Sequence, residues 1–231
     1  MLRGEETLVT PGTPFVLNCL RMTTTLHFDH PGRIAIGAAV GLGVSGVVAL
    51  QSPIPAWELD LTMWINGAPD WVASVLYPVM QLGTVLAPLL LAVVVLVWKR
   101  DTWTAAAAVI GGVATWFAAK GVKQLVERGR PLQYLPEIDV REGSGTGLGF
   151  ISGHSAVAAC TALIAMTVLP RRSRPVVALL AVLVGIGRIV HGVHLPADVV
   201  GGWSFGVLVG LATVEVMGRL RARLTEQEDA A

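Results

Sequence analysis

From Gly187 to Gly202 the chain reads Gly-Arg-Ile-Val-His-Gly-Val-His-Leu-Pro-Ala-Asp-Val-Val-Gly-Gly. Arg188, His194 and Asp198 are polar groups set between two long apolar segments. Charge at such a border is costly, so an ionisable group there marks function by default. Pro196 suits the first turn of a helix. That places Asp198 in the turn and His194 just ahead of it, within reach. A carboxylate on one imidazole nitrogen fixes the tautomer and leaves the other nitrogen free to attack or to take a proton. Arg188, at the end of the preceding apolar segment, can hold an anionic group beside that imidazole.

A second group of polar residues joins this stretch. Lys123, Arg128 and Arg130 follow an apolar segment, and Ser152-Gly153-His154 precedes another. Ser152 and the N–H groups of Gly153 and His154 would open a helix, where anions bind. Gly153 lets a phosphate approach the backbone closely. Two histidines beside several cations, with one carboxylate to orient a histidine, suit phosphoryl transfer. The cations neutralise phosphate oxygens in the transition state. One histidine attacks phosphorus and the other protonates the leaving oxygen. No metal or other cofactor is required, because lysine and arginine supply the positive charge.

The elements that must position these residues are membrane-like. Of 231 residues 53% are hydrophobic and 14% charged, against about 25% charged in soluble domains. A net charge of +1 gives no field that argues for nucleic acid. About 20 apolar residues cross a bilayer core, and this length predicts six spans, at about 33–50, 82–98, 103–122, 153–169, 176–191 and 197–217. Trp57, Trp64 and Trp71, among prolines and acids, suit an interfacial connection at 51–70. The stretch from Trp71 to Trp98 is long for one span. Gly83 and Pro88 could bend it, or 71–82 could be a separate short helix; the favoured reading of 71–82 is an interfacial lead-in to the second span. The expected organisation is a polar, disordered segment at 1–32, a membrane domain at 33–218 and a polar tail at 219–231. Met22 is an alternative start. Cys160 reads as a small buried side chain, with no support for a bond to Cys19.

Arg33, Lys99, Arg100, Arg171, Arg172, Arg174, Arg219, Arg221 and Arg223 fall on one side of a six-span chain. The positive-inside rule makes that side cytoplasmic, with both termini. Lys123, Arg128, Arg130, Arg141 and Arg188 fall on the opposite side with His154 and His194. They defy the rule and need another reason to be there.

These residues resemble the type 2 phosphatidic acid phosphatase (PAP2) superfamily, which includes lipid phosphate phosphatases and vanadium haloperoxidases. The family's Lys-x6-Arg-Pro motif matches Lys123 with Arg130-Pro131. Its Pro-Ser-Gly-His motif reads here Ile151-Ser152-Gly153-His154. Its Ser-Arg-x5-His-x3-Asp motif reads Gly187-Arg188, then His194 and Asp198 at the right spacing. The resemblance covers about 33–217. It implies an all-α, six-transmembrane helix bundle with its active site at the outer face. It implies His194 as nucleophile, Asp198 as its orienter and His154 as acid for the leaving group. It implies phosphate binding by Lys123, Arg130, Ser152, Gly153 and Arg188. Ile151 replaces the family's proline, and Gly187 replaces a serine that helps bind phosphate.

The expected function is a metal-independent membrane phosphatase acting through a phosphohistidine. Its substrate would be a lipid phosphate such as phosphatidic acid, or a polyprenyl phosphate or diphosphate such as undecaprenyl diphosphate. The expected site is an inner or plasma membrane, with the catalytic residues extracytoplasmic. One alternative is a non-catalytic transporter or assembly protein on the same scaffold, and another a vanadate-dependent haloperoxidase. Arg128 suits a second phosphate or headgroup, or a pairing with Glu127. Arg141 and Glu142 read as a solvated pair, His191 as a packed or hydrogen-bonded residue, and Gly143–Gly149 as a flexible loop. The basic 170–175 turn is a topology signal.

Overall fold

The computed structural model describes Phe28, residues 30–143 and residues 145–229. The expected disordered segment lies mostly outside the described residues, with Cys19, Met22 and His27. The fold is all-α. Among the described residues the one β feature is an isolated bridge between Gly129 and Leu148. The helices are α1 Pro31–Ala49, α2 Ala56–Asn66, α3 Asp70–Met80, α4 Leu86–Lys99, α5 Thr102–Val126, α6 Gly153–Val168, α7 Arg174–Val190 and α8 Pro196–Asp229.

Five of the six expected spans fall on α1, α5, α6, α7 and α8. The sixth, at 82–98, belongs to a bent pair. Asp70–Gly83 is a helix of its own rather than a lead-in, and it meets Leu86–Lys99 at 68°. A 3-10 turn at Gln81–Gly83 makes the bend. Its Gly83 rests on the first turn of α6, where a Cβ would come within 2.6 Å of the His154 carbonyl oxygen. Only glycine permits that approach. Among the described residues, four helices are long and apolar enough to cross a membrane: α1, α5, α7 with its preceding turn, and α8. The bent pair makes a fifth if it counts as one span. Helix α6 is apolar but has 16 residues.

Helix α6 is the centre of the bundle. Ten of its residues are buried, which is why a helix with so little polar surface needs no lipid-facing side of its own. Its main partner is α8, through Gly202, Gly206 and Gly210 at a spacing of four. A Cβ at Gly202 would meet the Ser152 carbonyl oxygen at 2.5 Å, and one at Gly210 would meet Cys160 Cα at 3.4 Å. Small residues at this spacing let membrane helices pack backbone to backbone. Cys160 is fully buried in that seam. Outer faces carry exposed apolar side chains such as Ile36, Val40, Val44 and Val47 of α1, as lipid contact requires.

One end of the bundle joins Asp101 to Arg221 at 3.4 Å. Asp101 also caps α5 by accepting from the N–H groups of Trp103 and Thr104. The turn at 99–101 and the helical continuation of α8 therefore share that end. Phe28 is buried in the core cluster nearby, with Arg174 stacked over its ring at 5.9 Å. The opposite end holds α2, the 127–151 loop and the turn between α7 and α8.

Candidate active site

At that opposite end a cavity of about 150 Å³ is lined by Lys123, Arg130, Gly153, His154, Arg188 and His194, with Trp116, Ala119 and Lys120 along one wall. Six residues singled out in the sequence thus converge from five places in the fold. Lys123 comes from the last turn of α5, and Arg130 from the loop beyond it. Gly153 and His154 form the first turn of α6, Arg188 the last turn of α7, and His194 the connection into α8. Gly153 faces free space, with nothing within 4 Å of a Cβ built there.

The remaining members of the constellation lie behind this lining. Asp198 is fully buried in the first turn of α8. Its Oδ2 lies 3.3 Å from His194 Nδ1 and accepts from the Leu195 N–H at 3.0 Å. This fixes which imidazole nitrogen is occupied and leaves Nε2 uncommitted. Ser152 is the N-cap of α6 and is fully buried. Its Oγ accepts from Ser155 Oγ at 2.9 Å, and its N–H donates to the Asp198 carbonyl oxygen at 2.8 Å. The second motif is therefore tied to the third by backbone.

The loop from 127 to 151 is built into the site. Lys123 Nζ donates to the carbonyl oxygens of Leu148 and Gly149, at 3.0 and 2.7 Å. Gly149 packs so closely that a Cβ would meet Asp198 Oδ2 and the Gly129 carbonyl oxygen at 2.8 Å each. The end of the glycine run thus anchors a cation and abuts the carboxylate. Arg141 and Glu142 are not a solvated pair. Arg141 donates to the carbonyl oxygens of Asn66 and Val190, each at 2.7 Å, and ion-pairs with Asp139 at 2.9 Å. Glu142 turns the other way and takes Arg188 Nη1 at 2.6 Å.

Arg128 does not line the cavity, as a second-phosphate or headgroup ligand would. It is 5% exposed and lies between two carboxylates. Its Nη1 donates to Asp198 Oδ1 at 3.0 Å, and its Nη2 pairs with Glu58 Oε2. Burial opposes its charge. The hydrogen bonds and charges of Glu58 and Asp198 outweigh that cost and raise its pKa above the usual arginine value. Glu58, in α2, is fully buried and was not among the sequence candidates. Its signal was a polar stripe, Glu58, Thr62 and Asn66, at a spacing of four; all three are buried while Trp57, Leu61 and Trp64 face outward.

His194 is held neutral. Burial is the largest cause of its lowered pKa, followed by the charges of Lys123, Arg188 and Arg130. Arg130 Nε and Arg188 Nε are buried and take no acceptor among the described residues. Oxygens of a tetrahedral anion would satisfy both. His191, three positions before His194, is buried with Nδ1 2.8 Å from the Gly187 carbonyl oxygen, a structural placement. Gly187 faces away from the cavity; a Cβ there would meet Met80 Cγ at 2.6 Å. Ile151 is fully buried against Ala49, Ala119 and Phe150. Among the described residues no cluster of His, Cys, Asp or Glu suits a metal ion. Lys120, also unanticipated, stands with Nζ 3.4 Å from the centre of the Trp116 ring.

The chain is similar to known proteins. The chain is 37% identical over 105 residues to Decaprenylphosphoryl-5-phosphoribose phosphatase of Mycolicibacterium smegmatis, covering 45% of this chain and 54% of that protein. It is 32% identical over 154 residues to Phosphatidylglycerophosphatase B of Bacillus subtilis, covering 60% of this chain and 72% of that one. The first of these relatives is thus spanned over only about half its length. The crystal structure of a transmembrane PAP2-type phosphatidylglycerolphosphate phosphatase from Bacillus subtilis superposes with a TM-score of 0.66 at 20% identity, over 79% of this chain and 94% of that one. That likeness shows the fold. The PAP2 superfamily model matches residues 101–222, just over half of the 231. With apolar helices of spanning length and this match, the chain is an integral membrane protein that belongs to the PAP2 superfamily.

Proposed function

We propose that this protein is a metal-independent lipid phosphatase that works through a phosphohistidine. The observation that carries the reading is the convergence of His194, His154, Lys123, Arg130 and Arg188 on one cavity, with Asp198 on the far nitrogen of His194. In the proposed reaction His194 Nε2 attacks phosphorus and the bond from phosphorus to the lipid oxygen breaks. His154 gives a proton to the departing oxygen. Water then attacks phosphorus as His154 takes a proton from it, the phosphorus–nitrogen bond breaks to free His194, and inorganic phosphate leaves. Lys123, Arg130 and Arg188, with the N–H groups of Gly153 and His154 in the first turn of α6, hold the phosphoryl oxygens as charge develops on them.

The substrate class is a lipid phosphate, or a polyprenyl phosphate or diphosphate. Trp116 and Ala119 give the cavity an apolar wall on the side of α5, where a tail could lie in the bilayer while the phosphate reaches the cations. The names of both relatives include a phosphorylated lipid, which supports the same class. The placement of the basic residues favours six passes through the membrane, cytoplasmic termini and an extracytoplasmic site in the cell membrane.

The test is phosphate release from a panel of lipid phosphates by the purified protein in detergent, with and without a chelator, beside His194→Ala. Release that resists the chelator and vanishes in the variant is expected. A folded protein that binds vanadate yet turns over no lipid in the panel would overturn the reading. Release that survives in His194→Ala would overturn the phosphohistidine.

A further inference from the structure

We infer that Glu58 is a positioning residue for the reaction: through Arg128 it sets the carboxylate of Asp198 against His194, which makes α2 part of the catalytic apparatus. The inference rests on the phosphatase reading above. Helix α2 lies outside the part of the chain that the family model matches.

The argument begins with burial. Glu58 and Asp198 are fully buried, and Arg128 is nearly so. Two carboxylates in one dry pocket repel each other. The guanidinium between them offsets that repulsion. It donates from Nη1 to Asp198 Oδ1 at 3.0 Å and from Nη2 to Glu58 Oε2, with Nη1 also 3.3 Å from Glu58 Oε1.

Geometry then gives Glu58 its own part. An arginine left alone with a buried aspartate takes both carboxylate oxygens, in the parallel two-bond geometry that its fork favours. Asp198 cannot be taken that way here, because Glu58 occupies the other half of the fork. Asp198 Oδ2 therefore stays with the Leu195 N–H and His194 Nδ1. Glu58 also accepts from the Ala197 N–H at 2.9 Å. It is thereby fixed to the same helix turn that carries Asp198. An imidazole held at Nδ1 by Asp198, with Nε2 left uncommitted, is what this chain of contacts delivers.

The blander role for Glu58 is a cap on α8. Glu58→Gln separates the two roles. The amide keeps an oxygen for the Ala197 N–H but offers N–H groups where Arg128 needs an acceptor. A cap would survive, with kcat of the folded protein unchanged. The expected result is a fall in kcat of about 10- to 100-fold, the range usual for residues that orient a reacting imidazole. KM and the vanadate inhibition constant should stay within about 3-fold, because the cavity lining is untouched. Arg128→Lys, whose single ammonium cannot bridge both carboxylates, should show the same split. The double variant should be no slower than the slower single one, since both act through Asp198.

Wild type and His194→Ala run in the same lipid-phosphate assay. An inactive wild type overturns the phosphatase reading. An active wild type, an inactive His194→Ala and a folded Glu58→Gln with wild-type kcat overturn this inference alone. If Glu58→Gln does not yield folded protein, Arg128→Lys decides: an unchanged kcat there overturns the inference, and a lowered kcat at unchanged KM supports it.

Discussion

Arg188 Nη1 meets Glu142 Oε2 at 2.6 Å at the edge of the cavity that Lys123, His154 and His194 line. One residue closes α7 and the other sits in the loop that folds over the site. The pair keeps a cavity cation in place, and it also sets a negative charge beside an anion site. Glu142→Gln removes that charge while keeping a partner for Arg188. Vanadate should then inhibit about 5-fold more strongly, as removal of a partly screened charge worth about 1 kcal/mol implies. Turnover should fall at the same time, because product phosphate is held longer. Titration of inhibition by vanadate checks the first effect, and the burst against the steady rate checks the second.

The two histidines should part company when the leaving group changes. His194→Ala removes the proposed nucleophile and should abolish release from every substrate. His154→Ala removes the proposed proton donor and should cost about 10²–10⁴-fold on a lipid phosphate, whose alkoxide leaves only when protonated. On p-nitrophenyl phosphate, whose phenolate leaves unaided, the loss should be at least tenfold smaller, and rapid quench should trap phosphate on the protein. Equal losses on both substrates would take the acid role from His154.

Acid should weaken the fold through His194. Its pKa is lowered, first by burial and then by Lys123, Arg188 and Arg130. An unfolded chain takes up that proton below a pH of about 6.5, and the folded protein does not. Between that value and the folded pKa the unfolded state binds more protons, so stability falls as pH falls, by about 1.4 kcal/mol per unit. Thermal melts from pH 7 to pH 5 should show this slope in the wild type and a shallower one in His194→Ala. The same neutral imidazole should keep the acid limb of kcat/KM well below 6.5.

Much of this was readable in the sequence because a membrane simplifies topology. Once the apolar runs are cut into spans, every odd turn falls at one end and every even turn at the other. Lys123, His154 and His194 then meet without any knowledge of packing. The bend at Gly83 was less legible, since an unbroken apolar stretch from Trp71 to Trp98 gives no period that distinguishes one helix from two. Glu58 was missed for a physical reason. Its helix is inverted, with Trp57 and Trp64 outward and Glu58, Thr62 and Asn66 inward. Rules drawn from soluble helices put such polar residues on the surface. Its partner Arg128 lies 70 positions away, and the Ala197 N–H lies 139 away. The splitting of Arg141 from Glu142 is equally non-local. The glycines at 202, 206 and 210 were in plain view as a small-residue stripe, and their use becomes specific only against Ser152 and Cys160.

Two glycines in the site should fail in opposite ways. Gly153 lines the cavity and has nothing within 4 Å of a Cβ. Gly153→Ala should fold and melt like the wild type. Its methyl group enters the space where phosphate oxygens approach the start of α6, so KM and vanadate affinity should weaken by about tenfold, the equivalent of about 1.4 kcal/mol. Gly149 has no such room, because Asp198 Oδ2 and the Gly129 carbonyl oxygen stand 2.8 Å from its Cβ position. Gly149→Ala must push the loop off Asp198, at a cost of about 1–3 kcal/mol for overpacking a tight site. That movement also draws the Gly149 carbonyl oxygen from Lys123, so melting temperature and kcat should fall together. Melting curves and steady-state kinetics of the two variants side by side check both outcomes. If Gly153→Ala leaves phosphate binding intact, the phosphoryl group does not sit on the first turn of α6, and Lys123, Arg130 and Arg188 must hold it nearer the mouth of the cavity.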